Sequence, residues 1–134
     1  MAGKIIADTL EHSTAGSLDT SYVVNGSAKA WGNLNTQTNS IRDALNASSM
    51  TDHTTGTYSL NFANAFSTAD YVFQGSSQID AVNLSSNSNW INVSGNRDTS
   101  NPSSTSHKVV VGRVTTEAEF DTLYTYLTYH GDLA

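Results

Sequence analysis

The sequence predicts an all-β protein, an antiparallel β-sandwich or jelly-roll-like domain carrying one C-terminal α-helix. Three observations carry that prediction. Tyr58, Leu60 and Phe62 alternate with Thr57, Ser59, Asn61 and Ala63, the two-residue period of a strand with one buried and one wet face. Lys108–Val114 is a β-branched run suited to a central strand buried on both faces. After Thr116 the period changes: Phe120, Leu123, Tyr124 and Leu127 fall at i, i+3, i+4 and i+7, one apolar stripe on a helix.

Taken in order, Lys4–Leu10 places Ile6, Asp8 and Leu10 on one strand face and Ile5, Ala7 and Thr9 on the other. Neither face is cleanly apolar, which suits an arm ordered against a neighbouring chain. Glu11–Asp19 reads as a loop, and Ser21–Val24 as a brief strand closed by the turn-forming pair Asn25-Gly26. Ala28–Asn35 is a strand with Ala28, Ala30, Gly32 and Leu34 inward. Trp31 shares the other face with Lys29, Asn33 and Asn35. Residues 41–63 read as a β-hairpin turning at His53–Gly56, where Gly56 accepts the positive φ such loops need. Asp70–Gly75 adds a third strand in a meander, with Tyr71 and Phe73 on one side. Ser76–Leu84 is a weaker strand and Trp90–Val93 a short one. Gly95–His107, holding the single proline Pro102, is expected as a long exposed loop. Thr116-Glu117-Ala118-Glu119 matches a capping box ahead of the expected helix, and Gly131 its stop. Three regions result: an N-terminal arm at 1–27, a β-sandwich core at 28–114, and a helix and tail at 115–134.

Composition narrows function. At 134 residues and 14.3 kDa the chain has room for one core, and Ser, Thr and Asn supply the polarity that a charged share of only 13% leaves missing. The net charge of −6 and the six scattered Lys and Arg exclude the clustered cations that displace phosphate counterions, so no nucleic-acid partner is expected. With no cysteine, disulfides, thiolate zinc sites and cysteine nucleophiles are excluded. No segment reads as a signal peptide or a bilayer span, so no membrane insertion and no use of the general secretion route are expected.

Chemistry-bearing motifs are sparse. His12, His53, His107 and His130 sit in loops or at element ends, without metal-ligand spacing, and no metal or cofactor is expected. Abundant Ser allows a Ser-His-Asp arrangement, but no G-x-S-x-G elbow singles out a nucleophile. Asp43, Asp52, Asp70, Asp80 and Asp98 could supply two carboxylates for glycoside hydrolysis, yet all fall near turns or strand ends, where Asp satisfies local backbone. The stronger lead is aromatic. Trp31 and Trp90 lie in polar surroundings, and with Arg97 they are the candidate contact residues. Ile5, Ile6, Leu10, Phe120, Leu123, Tyr124 and Leu127 are the candidate subunit interface. The uncommitted stripe needs a partner surface, so a homo-oligomer is expected, a trimer first.

Ala28–Trp31, Asn33–Asn35, Ile41–Asp52, Gly56–Phe62 and Ala69–Tyr71 together resemble a pattern of small virion proteins and tail-fibre domains of tailed bacteriophages, marine ones especially. Lys4–Leu10 and Tyr22–Ser27 resemble the lead-in of those proteins, so the resemblance spans about residues 4 to 76. It implies a β-rich, non-enzymatic virion component, often oligomeric, assembled with other virion proteins in the host cytoplasm. It transfers no catalytic residue. Two roles follow as expectations: a fibre-type or receptor-binding module meeting a host-surface glycan, or a decoration protein that cements the capsid.

Overall fold

The computed structural model describes residues 6–14, 16–78, 91–95, 102–113 and 118–134. Its elements are strands β1 (Thr9–His12) and β2 (Gly16–Asp19), helix α1 (Thr20–Gly26), then strands β3 (Ala30–Asn35), β4 (Ser40–Leu45), β5 (Ala47–Thr54), β6 (Thr57–Phe62), β7 (Val72–Gln78), β8 (Ile91–Gly95), β9 (Ser106–Arg113) and β10 (Tyr124–His130). All pairing is antiparallel: a β1–β2 hairpin, a first sheet in the order β4-β3-β10-β7, and a second in the order β5-β6-β9-β8. The all-β expectation therefore holds at the level of class.

The expected C-terminal helix is not present; Tyr124–His130 is strand β10, hydrogen-bonded on both sides within the first sheet. The segment Tyr-Thr-Tyr-Leu-Thr-Tyr carries a helical stripe and a two-residue alternation at once, and its aromatic and β-branched residues favour the pleated surface. Thr125, Leu127 and Tyr129 point into the core and Tyr124, Tyr126 and Thr128 away from it. A buried clamp starts the strand: the Thr36 hydroxyl donates to the Thr122 carbonyl (3.1 Å) and accepts from the Thr122 amide (2.6 Å). Glu119 does not close a cap; its carboxylate accepts from the Thr57 hydroxyl at 2.8 Å, and Asp121 accepts from the Gly56 amide at 2.8 Å.

The hairpin read over 41–63 divides. Asn46 takes a positive φ of 54°, and there the chain leaves the first sheet, where β4 pairs with β3, and enters the second as β5. The hairpin proper is β5–β6, turning at Gly56 with φ 70°, as its glycine suggested. The meander is likewise broken, since β7 returns to the first sheet and pairs with β10, putting Tyr71 and Phe73 beside Tyr129. β7 also runs across the boundary drawn at Gly75, and 79–84 lie outside the described residues. Ser21–Val24 is helical, because the Asp19 carboxylate accepts from the Ser21 amide at 2.7 Å and caps α1. The expected loop Glu11–Asp19 is instead the β1–β2 hairpin. The loop drawn to His107 ends earlier, at Ser106, where β9 begins.

Side chains from both sheets meet in one buried cluster. The first sheet contributes Ala30, Leu34, Leu127 and Tyr129, and the second Tyr58, Leu60, Phe62, Val93, Val109 and Val111. β9 is central, as its β-branched run predicts, but its two faces differ: Val109 and Val111 are fully buried while Lys108 and Val110 are half-buried on the outer face. At one end Phe62, Phe66, Tyr71, Phe73, His107 and Tyr129 form a network of mostly edge-to-face rings with centroids 4.6–5.7 Å apart. Pairs of this geometry add about 0.5–1.5 kcal/mol each beyond area burial. The sheets are in close contact at Gly75, where an added Cβ would lie 2.7 Å from Val93 Cγ1.

Residues 6–27 stand apart from this core. α1 buries no side chain, Thr9–Glu11 of β1 and all of β2 are exposed, and Ile6, Leu10, Leu18, Tyr22, Val23 and Val24 all face solvent.

Candidate functional site

The outer face of the first sheet follows from the alternation along its strands. On β10 it carries Tyr124, Tyr126, Thr128 and His130. Register sets Gln78, Ser76, Gln74 and Val72 of β7 directly opposite these four, in that order. On the other flank Asn33 of β3 lies opposite Tyr126, and Trp31 opposite Thr128 and Leu45. An aromatic row thus runs between a row of amides and hydroxyls and a second row holding Trp31. Tyr126 is 40% exposed and Val72 68%, while Trp31 and Tyr124 are half-buried.

Two contacts hold this face in place. The Tyr124 and Tyr126 rings lie within 9° of parallel, with centroids 6.2 Å apart. Arg42, at the register shift of β4, places its guanidinium 4.5 Å from the Tyr124 ring centroid and donates to the Leu123 carbonyl at 3.3 Å. Among the described residues no carboxylate pairs with this guanidinium, which leaves part of its donor fork available to a ligand.

At the His130 end the face opens into a cleft of about 460 Å³, lined by Asn25, Phe66, Ser67, Thr68, Asp70, Tyr71, Val72, His130, Gly131 and Asp132. Its size is that of an ordinary small-molecule site. Phe66 and Tyr71 form its floor: Phe66 is buried, and Tyr71 is anchored by its hydroxyl to the carbonyls of Ser103 and Ser106. Burial pushes the Tyr71 phenol well above its ordinary range, so it stays protonated as a structural donor. Gly131 admits this floor, since an added Cβ would lie 2.9 Å from Tyr71 Cβ. Asp70 and Asp132 supply the carboxylates among the lining residues, and among the described residues no Lys or Arg lines the cleft.

The outer face of the second sheet is chemically different. Asn61 donates through Nδ2 to the hydroxyls of Ser49 (2.9 Å) and Thr51 (3.0 Å), making a hydroxyl-amide ladder. His53 Nε2 lies 2.8 Å from Ser59 Oγ. Asp52 precedes His53 on the same strand and so points to the opposite face. Among the described residues no carboxylate bonds the other imidazole nitrogen, and the pair lacks the third member of a triad. Nor does any group of three or more His, Cys, Asp or Glu side chains among the described residues have metal-binding geometry.

Of the residues singled out from sequence, Trp31 lies on the aromatic face, while Trp90, Arg97 and Ile5 lie outside the described residues. Ile6 and Leu10 are exposed on the N-terminal unit. The C-terminal stripe is dispersed by the strand: Leu127 is core and cannot meet another subunit, Phe120 packs half-buried against the core, and Tyr124 belongs to the aromatic face. Tyr126 and Arg42 were not singled out. The alternation Tyr124-Thr125-Tyr126-Leu127-Thr128-Tyr129 was the available signal for Tyr126; Arg42 had none, because its place depends on pairing across β3. Compared with known protein families, curated proteins and solved structures, the chain matches none.

Proposed function

We propose that the chain is a non-enzymatic structural protein of a bacteriophage virion, displayed on the particle surface as a fibre-type or receptor-binding module of the tail. In this reading the two sheets are the layers of a β-sandwich whose rigid body is touched on one face, and residues 6–27 hold it to its neighbours. The observation that carries the reading is the contrast between those parts. A two-stranded hairpin and a seven-residue helix with no buried side chain do not persist alone in water. Six exposed apolar side chains in that unit are the stuff of an interface. We assign them to contacts between copies of the chain in a homo-oligomer, a trimer by preference, mounted on other virion proteins.

The test is immunogold electron microscopy of purified particles with antibody raised against the chain, combined with copy number by quantitative mass spectrometry. Label at the tail and a small multiple of three or six copies per particle are expected. Hundreds of copies spread over the head would replace this role with capsid decoration, and absence from particles would overturn the reading. Purified protein is expected to release no reducing ends from host polysaccharide.

A further inference from the structure

We infer that the outer face of the first sheet, continuous with the cleft at its His130 end, is a binding track for a neutral polysaccharide. This names the ligand class of the contact face proposed above and rests on that reading for its biological setting. The chemistry of a pyranose is twofold: an apolar C–H face that packs on an aromatic ring, and a rim of hydroxyls that both donate and accept. The face supplies both requirements in register. Tyr126 supplies the exposed ring of the row, Tyr124 stacks beside it beneath Arg42, Trp31 extends the row on the next strand, and Gln74, Ser76 and Gln78 stand opposite one strand away. From Tyr124 to His130, six residues along β10 at about 3.4 Å each make a track of about 20 Å, room for several sugar units.

Charge selects the kind of polysaccharide. The cleft that receives the end of the track presents the carboxylates of Asp70 and Asp132, and no Lys or Arg among the described residues lines it, so a sulfate, phosphate or uronate would meet repulsion there; the one guanidinium on the face, Arg42, lies at the far, Tyr124 end and is held over that ring. The chain's net charge of −6 adds a long-range term of the same sign. Neutral hydroxyls instead donate to those carboxylates and accept from Asn25, Ser67 and Thr68. Among the described residues the exposed tyrosine lies on this face and the opposite sheet presents the Ser49, Thr51 and Asn61 ladder, so the two outer faces are not equivalent wet surfaces.

The test is affinity electrophoresis of the full chain through native gels containing hydroxyethylcellulose, galactomannan, arabinoxylan or dextran, with alginate as the acidic comparison. Retardation by at least one neutral polymer and none by alginate is expected. Tyr126→Ala, at an exposed position that leaves the core intact, should weaken retention about tenfold, and Tyr126→Phe should keep it. Asp132→Asn should admit alginate more readily. No retardation by any neutral polymer, retention indifferent to Tyr126→Ala, or equal retention by alginate would each overturn the inference. Dissociation of an oligomer by Tyr126→Ala without any sugar retention would assign the face to subunit contact, also overturning it. Labelled particles together with absent retention would refute this inference alone; retention by a protein missing from particles would refute the virion reading alone.

Discussion

His107 offers the most quantitative handle on the fold. The ring is 4% exposed, set among Tyr71, Phe73 and Tyr129, with Nδ1 3.3 Å from the Tyr129 hydroxyl. Burial pushes its pKa down from 6.5 to about 4, because the apolar surroundings disfavour the imidazolium. Between those values the unfolded chain binds a proton that the folded chain refuses. Stability is therefore full above pH 6.5 and is lost as pH falls toward 4. At 1.36 kcal/mol per pH unit the difference amounts to about 3 kcal/mol, a large share of the 5–15 kcal/mol of an ordinary domain. Urea unfolding of the wild-type protein and His107→Gln from pH 8 to 4 isolates this group, since carboxylate titration is common to both. The wild type should lose about 3 kcal/mol more than the variant over that range, and its His107 ring protons should titrate near pH 4 by NMR. Parallel stability curves, or titration near 6.5 in the folded protein, would refute the buried neutral imidazole and the ring packing that requires it.

Other substitutions probe separate features. Gly75→Ala drives a methyl group against Val93 and Phe73 where the sheets approach, and should cost about 1–3 kcal/mol by denaturant unfolding. Leu127→Ala removes a fully buried side chain and should cost about 2–5 kcal/mol, whereas Tyr126→Ala next to it, which loses a half-exposed ring and its stacking on Tyr124, should cost about 0.5–1.5 kcal/mol; equal costs would contradict the strand alternation. Ser77→Ala removes a buried hydroxyl that has no hydrogen-bond partner among the described residues and should raise stability by about 1 kcal/mol. Leu10→Asp with Tyr22→Ser, both at exposed positions, should leave the unfolding midpoint of the isolated body unchanged and abolish the oligomer in sedimentation.

The sequence displayed local patterns well and long-range pairing poorly. β6 was legible because Tyr58, Leu60 and Phe62 alternate cleanly, and Tyr58, Leu60 and Phe62 are core. β3 was legible for the same reason, with Trp31 on the face opposite Ala30 and Leu34, where the structure leaves it half-buried. What failed was partnership. Nothing local announces that Asn46 sends the chain from one sheet to the other, because a positive φ at Asn also serves an ordinary turn. The C-terminal segment satisfied two periods at once, and the choice was made by β3 and β7, strands about 50 to 95 residues earlier in the chain. With the helix gone, the C-terminal half of the candidate interface lost its shared stripe, Leu127 going to the core and Tyr124 to the outer face of the first sheet. Ile6 and Leu10, from its N-terminal half, are exposed within the chain, since an arm with no clean apolar face has little to bury there.

The central claim is that residues 9–26 acquire their order from neighbouring copies while the two-sheet body stands alone. Hydrogen exchange measured by mass spectrometry across a dilution series, with mass followed by sedimentation in the same samples, tests it most directly. Protection of 9–26 should appear only where the oligomer forms, with 30–62 protected at every concentration. Protection of 9–26 in a monodisperse monomer, or a stable oligomer in which that segment exchanges freely, would contradict it.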